Sequence, residues 1–189
     1  MSQRDDLLAG AKRCLAEKGY GNTTARDIAA ASGAHLASIG YHFGSKDNLM
    51  NTALIEATSE WGDKVEAAAR AAEPENPAAR LETVLGRLLA AVPGDRDLLV
   101  ANVQALAQSE FDGHLHDMLG EGFGDAWASF ASILLDIPRD ELTEEQRNTT
   151  GAAVHALVMG YTIQALITRR ATPEGTDIVA GLRALLTAQ

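Results

Sequence analysis

A short stretch near the N-terminus concentrates side chains that can donate and accept hydrogen bonds. Within twelve residues the chain places two imidazoles, three hydroxyls and one ammonium group, on His35, Ser38, Tyr41, His42, Ser45 and Lys46. Groups of these types contact phosphate oxygens and base edges in nucleic acids. The chemistry available to this stretch is therefore recognition and not bond making.

The preceding residues predict a helix that is capped by Thr24. Its hydroxyl can cap the helix while Asp27, three residues later, reaches back to the Thr24 amide as a capping box. Gly33 should end the helix, because glycine accepts the left-handed backbone that a sharp turn needs. Ala29 is small enough to let a second helix cross closely. The inner face carries residues at three- and four-residue spacing, namely Ile28, Ala29 and Ser32.

A second helix is predicted from His35 to Phe43, after the three-residue turn Ser32-Gly33-Ala34. Ile39 and Phe43, four residues apart, would face inward. Ser45 would then cap a further helix with Lys46 in its first turn. Two short helices joined by a tight turn are typical of a helix-turn-helix, which presents its second helix to DNA. The outer side of that second helix carries His35, Ala37, Ser38, Tyr41 and His42.

The segment ARDIAAASGAHLASIGYHFGSKDNL resembles the DNA-binding segment of the tetracycline-repressor (TetR/AcrR-like) family. The resemblance includes the lead-in LLAGAKRCLAEKGYGNTT, is dense from about Leu7 to Leu49, and thins afterwards. It implies that Thr24 and Lys46 hold phosphates and that Arg26 reaches phosphate or base. It also implies that the second helix supplies the base contacts.

One position departs from the family pattern. Many members have tyrosine where this chain has Gly40, so the aromatic contact falls to Tyr41. A plainer alternative stays open, in which His42 is a packing histidine and Tyr41 a half-buried spacer. The resemblance therefore does not predict which bases this protein prefers.

Charge is distributed unevenly along the chain, whose formal net charge is -10. Residues 1–50 carry six basic and five acidic side chains, net +1, so residues 51–189 carry -11. An acidic body would repel DNA except through the N-terminal part. We therefore expect a DNA-binding domain over residues 1–46 and a ligand-binding and dimerisation domain over residues 47–189.

Composition points to a soluble, cytoplasmic protein. Cys14 is the only cysteine, so no intrachain disulfide can form, and we interpret it as a packing thiol. Charged residues at Arg4, Asp5 and Asp6 argue against a signal peptide. The near-apolar stretch from Ala152 to Ile167 is shorter than a membrane span.

Beyond the N-terminal part the periodicity is helical throughout, which predicts an all-α fold of about nine helices. Four glycines should break or kink the stretch Phe111 to Leu135. A second capping box at Thr143 should open a helix that runs to about Arg170. The predicted helices span about 46–72, 78–92, 96–109, 111–135, 143–170 and 172–188.

The last two predicted helices are a candidate dimer surface, because the penultimate one is apolar nearly all round and must be covered on more than one side. The resemblance implies a four-helix interface built from these helices of both subunits. The alternative is a core within one chain. The candidate interface residues are Leu157, Gly160, Tyr161, Gln164, Thr168, Ile178, Leu182 and Leu185.

Aromatic residues are scarce, yet most lie outside the N-terminal part, where the resemblance places an effector cavity. The expected effector is a small, mainly apolar molecule, and the excess of acid leaves a cationic one open. Core packing is the alternative for each residue singly. The candidate pocket residues are Trp61, Gln104, Phe111, Phe123, Trp127, His155 and Met159.

An enzyme and a helical adaptor are the two alternative classes of protein. For an enzyme the sequence offers no nucleophile elbow, no phosphate-loop lysine and no complete dinucleotide fingerprint, and no metal or cofactor is expected. A helical adaptor that does not bind DNA would leave the turn glycine and the polar second helix unexplained. The sequence therefore favours a non-enzymatic regulator, a repressor that binds a palindromic operator as a homodimer and is released by its effector.

Overall fold

The computed structural model describes residues 2–168 and 173–187, and within those ranges the secondary structure is helical. Nine helices follow one another in chain order, and the predicted all-α fold is confirmed. They are α1 (Gln3–Lys18), α2 (Ala25–Ser32), α3 (Ala37–Phe43), α4 (Lys46–Arg70), α5 (Pro77–Ala91), α6 (Arg96–Gln108), α7 (Gly113–Leu135), α8 (Glu144–Ile167) and α9 (Gly175–Thr187).

The chain forms two compact units, each with its own hydrophobic core. The first unit comprises the described part of Met1–Glu60 together with Arg96–Gly120, and the second comprises that of Trp61–Asp95 and Glu121–Gln189. These units divide the chain by packing, whereas the expected domains of residues 1–46 and 47–189 divide it by role. The functional boundary therefore stays a prediction.

In the first unit α1 packs closely against α2. A Cβ atom at Gly10 would lie 2.8 Å from the Cβ of Ser32, so only glycine lets the two helices approach this far. Leu7 and Ile28 are fully buried beside this crossing. A close approach of α1 and α2 is thus made possible by Gly10, and the close crossing expected at Ala29 stays a prediction.

In the second unit two helix pairs meet at glycines. A Cβ at Gly151 on α8 would lie 2.1 Å from the carbonyl oxygen of Trp127 on α7, and one at Gly175 on α9 would lie 2.2 Å from that of Glu82 on α5. Gly151 ends a π-helical turn, Arg147–Gly151, inside α8. The backbones of α7 and α8 are therefore in direct contact where α8 is locally widened.

The predicted break in the stretch from Phe111 to Leu135 is wrong, because α7 is continuous from Gly113 to Leu135, and the alternative of a kink stays a prediction. A glycine inside a helix costs about 1 kcal/mol relative to alanine, which tertiary packing can offset. Here the second half of α7 buries Ala131, Ile133 and Leu134.

Two predicted helix starts also differ from the structure. The second motif helix begins at Ala37 and not at His35, because the turn from Gly33 extends to Leu36, which has no side-chain cap. The last helix begins at Gly175. The predicted contributions of Arg169, Arg170, Thr172 and Ala188 lie outside the described residues.

Among the residues that the structure describes, one helix is long and apolar enough to cross a membrane. It is α8, whose 24 residues include a window of mean hydropathy 1.3. The apolar stretch expected from the sequence is shorter, because it begins only at Ala152. A single helix of this kind is weak support for a membrane span, since helices of soluble proteins can be equally long and apolar.

The contact at Gly151 generates a stability prediction. We expect Gly151→Ala to lower the free energy of unfolding by about 3 kcal/mol, because the new methyl group overlaps the Trp127 carbonyl. Gly120→Ala is the matched control: its Cβ would meet no atom within 4 Å, and it should leave stability unchanged or raise it by up to about 1 kcal/mol. Urea denaturation measures both, and equal midpoints would contradict the close contact.

Candidate functional site

The start of α2 is held by the predicted capping box. The Thr24 hydroxyl accepts from the Asp27 amide at 3.2 Å, and the Asp27 carboxylate accepts from the Thr24 amide at 2.8 Å. Hydrogen bonds from Lys18 and Thr24 hold the pKa of Asp27 well below its ordinary value. The Thr24 hydroxyl also donates to Asp27 at 2.6 Å, so its proton is used within the cap. The amides of Ala25 and Arg26 precede the first intrahelical bond and stay open.

The outer face of α3 is polar and exposed. Tyr41 is 86% exposed and its ring meets that of His42 edge to face at 4.8 Å between centroids. His35 and Ala37 are exposed, while Ser38 and His42 are partly buried. The structure thus brings the five predicted outer residues together around one short helix.

Leu36, in the turn before α3, is a neighbour of this face that the sequence analysis missed. Its side chain is 48% exposed. The apolar residue between the turn glycine and the polar helix was the available signal.

Helix α3 is fixed from beneath and from one end. Ile39 is 4% exposed and lies in the core of the first unit. The Arg4 guanidinium lies over the Phe43 ring at 5.2 Å from its centroid, and His42 Nε2 lies 3.4 Å from Gln3 Oε1. The first turn of α1 therefore sets the position of the last turn of α3.

Lys46 is less free than the sequence suggested. Its ammonium lies 3.0 Å from the Asp47 carboxylate and donates to the Thr23 carbonyl at 3.5 Å. An ammonium has three protons, so one remains for a further acceptor. Arg26 is exposed and forms no ion pair within the described ranges.

Three of the predicted pocket residues form one cluster in the second unit. The Trp127 indole N–H donates to His155 Nδ1 at 3.1 Å, and the Phe123 ring meets the imidazole edge to face at 4.8 Å. Phe130 stacks on the same imidazole with centroids 5.9 Å apart. Met159, one turn farther along α8, is partly buried. We call Phe123, Trp127, Phe130 and His155 the aromatic cluster.

The other predicted pocket residues lie elsewhere within their units. Trp61 donates its indole N–H to Asp95 at 2.8 Å. Gln104 lines a cavity of about 320 Å³ in the first unit, beside Tyr20 and Asp97. Phe111 also belongs to the first unit and is 83% exposed. Neither unit therefore holds one pocket with all seven residues.

A groove of about 810 Å³ runs along α7 and the start of α8 in the second unit. Trp127 and Leu142 supply apolar lining, and Arg147 and Asn148 come from the π-helical turn. The sequence analysis missed this groove, because a π-helical turn has no recognisable sequence pattern. Its acidic side chains are Glu121, Asp125 and Glu144.

The predicted interface residues differ in exposure. Leu157, Gly160, Tyr161 and Leu182 are partly buried, and Gln164, Thr168 and Leu185 are exposed. Ile178 is 4% exposed and packs in the core of its own subunit, so it has no free surface to offer. Ile167 and Leu186, which the sequence analysis left out, are 77% and 81% exposed.

These features define an all-α protein whose first unit carries a helix-turn-helix. Residues 7–53 match the family model described as bacterial regulatory proteins, tetR family. Over these residues the match confirms the resemblance to the tetR family that the motif predicts. The members of that family are transcriptional regulators and not enzymes.

Relatives and solved structures resemble different lengths of the chain. The HTH-type transcriptional repressor AcnR of Corynebacterium glutamicum is 44% identical over 48 residues, which is 25% of this chain and 26% of that protein. A putative TetR-family regulator from Rhodococcus sp. matches all of both chains with a TM-score of 0.69 at 19% identity. The multidrug binding protein EbrR, complexed with imidazole, matches 96% of this chain and 95% of its own, with a TM-score of 0.72 at 25% identity. Similarity in sequence to AcnR thus covers about a quarter of the chain, whereas similarity in fold to the solved structures covers nearly all of it.

The aromatic cluster generates a prediction about pH. Burial lowers the pKa of His155 below its ordinary value of 6.5. The unfolded chain therefore takes up the proton at a higher pH than the folded one. The contribution of a neutral His155 to stability is full above about pH 6.5 and declines as the pH falls toward its folded-state pKa.

His155→Asn is the variant that tests this dependence, because its amide oxygen can still accept from Trp127. Between about pH 7.5 and about pH 5 the wild type should lose more free energy of unfolding than this variant. Urea denaturation at both pH values gives the comparison. Equal losses would show that His155 is not kept neutral by burial.

Proposed function

We propose that the chain is a homodimeric, effector-responsive transcriptional repressor that binds a partly palindromic DNA operator through α2 and α3. The observation that carries the proposal is the outer face of α3, where Tyr41 stands 86% exposed on a helix fixed by Ile39 and by the first turn of α1. A short, rigidly held helix with an exposed polar face suits the major groove of DNA. The repressor AcnR is 44% identical over 48 residues, and residues 7–53 match the tetR family model.

Dimerisation is supported by apolar surface at the end of α8 and on α9. Ile167, Leu185 and Leu186 are each more than three-quarters exposed. Large aliphatic side chains clustered on a surface indicate an interaction site. A twofold dimer would place two recognition helices on two half-sites about one helical turn or more apart.

The proposed effector is a small, mainly apolar molecule bound in the second unit. The aromatic cluster offers flat apolar ring faces, as small-molecule sites do, and the groove beside Trp127 adds polar side chains such as Arg147 and Asn148. EbrR has been crystallised with imidazole and with proflavin, both flat ring compounds. The protein would act in the cytoplasm.

The proposed release mechanism runs through α4, whose residues 46–60 belong to the first unit and 61–70 to the second. An effector that binds the released form better would shift α4 and with it the separation of the two recognition helices. A differential binding free energy of about 3 kcal/mol would change operator affinity about a hundredfold.

Operator binding should depend on two side chains of the first unit. Tyr41→Ala and Lys46→Ala should each weaken binding to the DNA that flanks the protein's own gene by about 1–3 kcal/mol, with helical circular dichroism unchanged. Lys46→Ala should also reduce the slope of log affinity against log salt by about 1. Lys64→Ala, an exposed lysine of the second unit, is the control and should bind as the wild type does. Wild-type footprints from both test variants would refute the DNA interface.

The dimer should be broken by a bulky charge on α8. A Cβ at Gly160 would meet no atom within 4 Å in the monomer, so Gly160→Arg should fold but fail to pair. Gly160→Ala is the matched control and should remain dimeric. Sedimentation velocity measures the difference, and a dimeric Gly160→Arg would place the interface elsewhere.

A further inference from the structure

Three aromatic side chains on one face of α7 converge on a single imidazole from α8. Phe123, Trp127 and Phe130 are spaced four and three residues apart, and each contacts His155. All four side chains are partly exposed. The imidazole is thus clamped by three rings but not sealed from solvent.

The hydrogen bond from Trp127 determines which imidazole nitrogen carries the proton. An indole N–H can only donate, so His155 Nδ1 must accept with its lone pair. Burial lowers the pKa of His155, so the ring is neutral near pH 7.5. A neutral imidazole has one proton, which must then be on Nε2.

The Nε2–H group has no hydrogen-bond acceptor among the described residues. In those ranges the fully buried side-chain nitrogen and oxygen atoms without a partner are Asn51 Nδ2 and Arg147 Nε. His155 Nε2 is not one of them, so it retains access to solvent. It is a donor in a fixed direction beside flat apolar surface.

We propose that His155 Nε2–H is the polar anchor of the effector site and selects a flat apolar molecule that carries a hydrogen-bond acceptor, such as an aromatic ring nitrogen or a carbonyl oxygen. This inference rests on the proposed function, in which an effector binds the second unit. Phe130 and Phe123 restrict the ring, so the donor is aimed before the ligand arrives. A preorganised donor binds an acceptor with little loss of side-chain freedom.

The same geometry disfavours a cationic effector at this site. A cation that only donates finds no acceptor on His155, because Trp127 already uses the Nδ1 lone pair. The carboxylates of the groove, on Glu121, Asp125 and Glu144, are exposed, and exposed charges are screened by water and salt. We therefore expect the site to select an effector by its hydrogen-bond acceptor and not by its charge.

Three bicyclic probes of nearly equal size separate these possibilities. Isoquinoline has a ring nitrogen that accepts, naphthalene has none, and N-methylisoquinolinium replaces the acceptor by a positive charge. Binding is measured on full-length, 15N-labelled protein at about pH 7.5. The readout is the Trp127 indole N–H resonance, which the Trp61→Phe variant identifies, because the chain has two tryptophans.

We expect isoquinoline to bind about threefold to tenfold more tightly than naphthalene, the range of one neutral hydrogen bond, and N-methylisoquinolinium to bind no better than naphthalene. His155→Asn keeps an acceptor for Trp127 but lacks an atom at Nε2, so it should remove the isoquinoline preference and leave naphthalene unchanged. His155→Gln places an amide N–H near Nε2 and should restore part of the preference. Long-range 1H–15N spectra should show the proton of His155 on Nε2.

Equal binding of isoquinoline and naphthalene would overturn the inference, as would stronger binding of the cation, no binding of isoquinoline, or a proton on Nδ1. Those results would leave the aromatic cluster as packing between α7 and α8. Release from operator DNA is measured separately. If isoquinoline binds as expected but does not release DNA, the inference stands and the effector role in the proposed function fails.

Discussion

The close crossing of α1 and α2 at Gly10 is the constraint on which the DNA-facing surface depends. Because no Cβ stands between Gly10 and Ser32, Leu7 and Ile28 can close the core of the first unit at this crossing. The first turn of α1 then reaches the end of α3, where Arg4 covers Phe43. A methyl group at Gly10 would push α1 away from α2. The first turn of α1 would move with it, and α3 would then shift as well. The position of α3, which carries Tyr41, thus depends on the packing of α1 against α2.

In the second unit, too, a close approach at a glycine fixes the position of a side chain, here beside a π-helical turn. Gly151 brings the backbone of α8 onto the Trp127 carbonyl, and one turn later His155 meets the indole of the same tryptophan. Backbone contact and side-chain hydrogen bond therefore fix Trp127 from two directions. A π-helical turn inserts one extra residue into a helix, which changes the face on which later residues point. Without it His155 would be rotated away from the aromatic face of α7.

Local signals in the sequence were sufficient for the fold class, the capping boxes at Thr24 and Thr143 and the polar face of α3, because each depends on residues within one or two helical turns. Contacts between residues that lie far apart in the sequence could not be predicted from it. Nothing local to Gln104 or Phe111 separates them from Trp127, yet they lie in a different unit. Likewise Ile178 reads as one more apolar residue of an amphipathic helix, and only the packing of α9 on α5 shows that it is buried.

The basic side chains of the first unit explain why the proposed operator binding must rely on α3 and on pairing of two subunits. Most of these cations already have partners within the unit, and an engaged cation releases fewer counterions from DNA. The engaged groups are Lys12 with Glu56, Lys18 with Asp27, Lys46 with Asp47, Arg4 over Phe43 and Arg13 on the Ala31 carbonyl. Non-specific affinity should therefore be low, and the net charge of -11 on residues 51–189 lowers it further. Under these conditions one recognition helix is too weak alone, so affinity and specificity both require two copies of α3 held at the spacing of the half-sites.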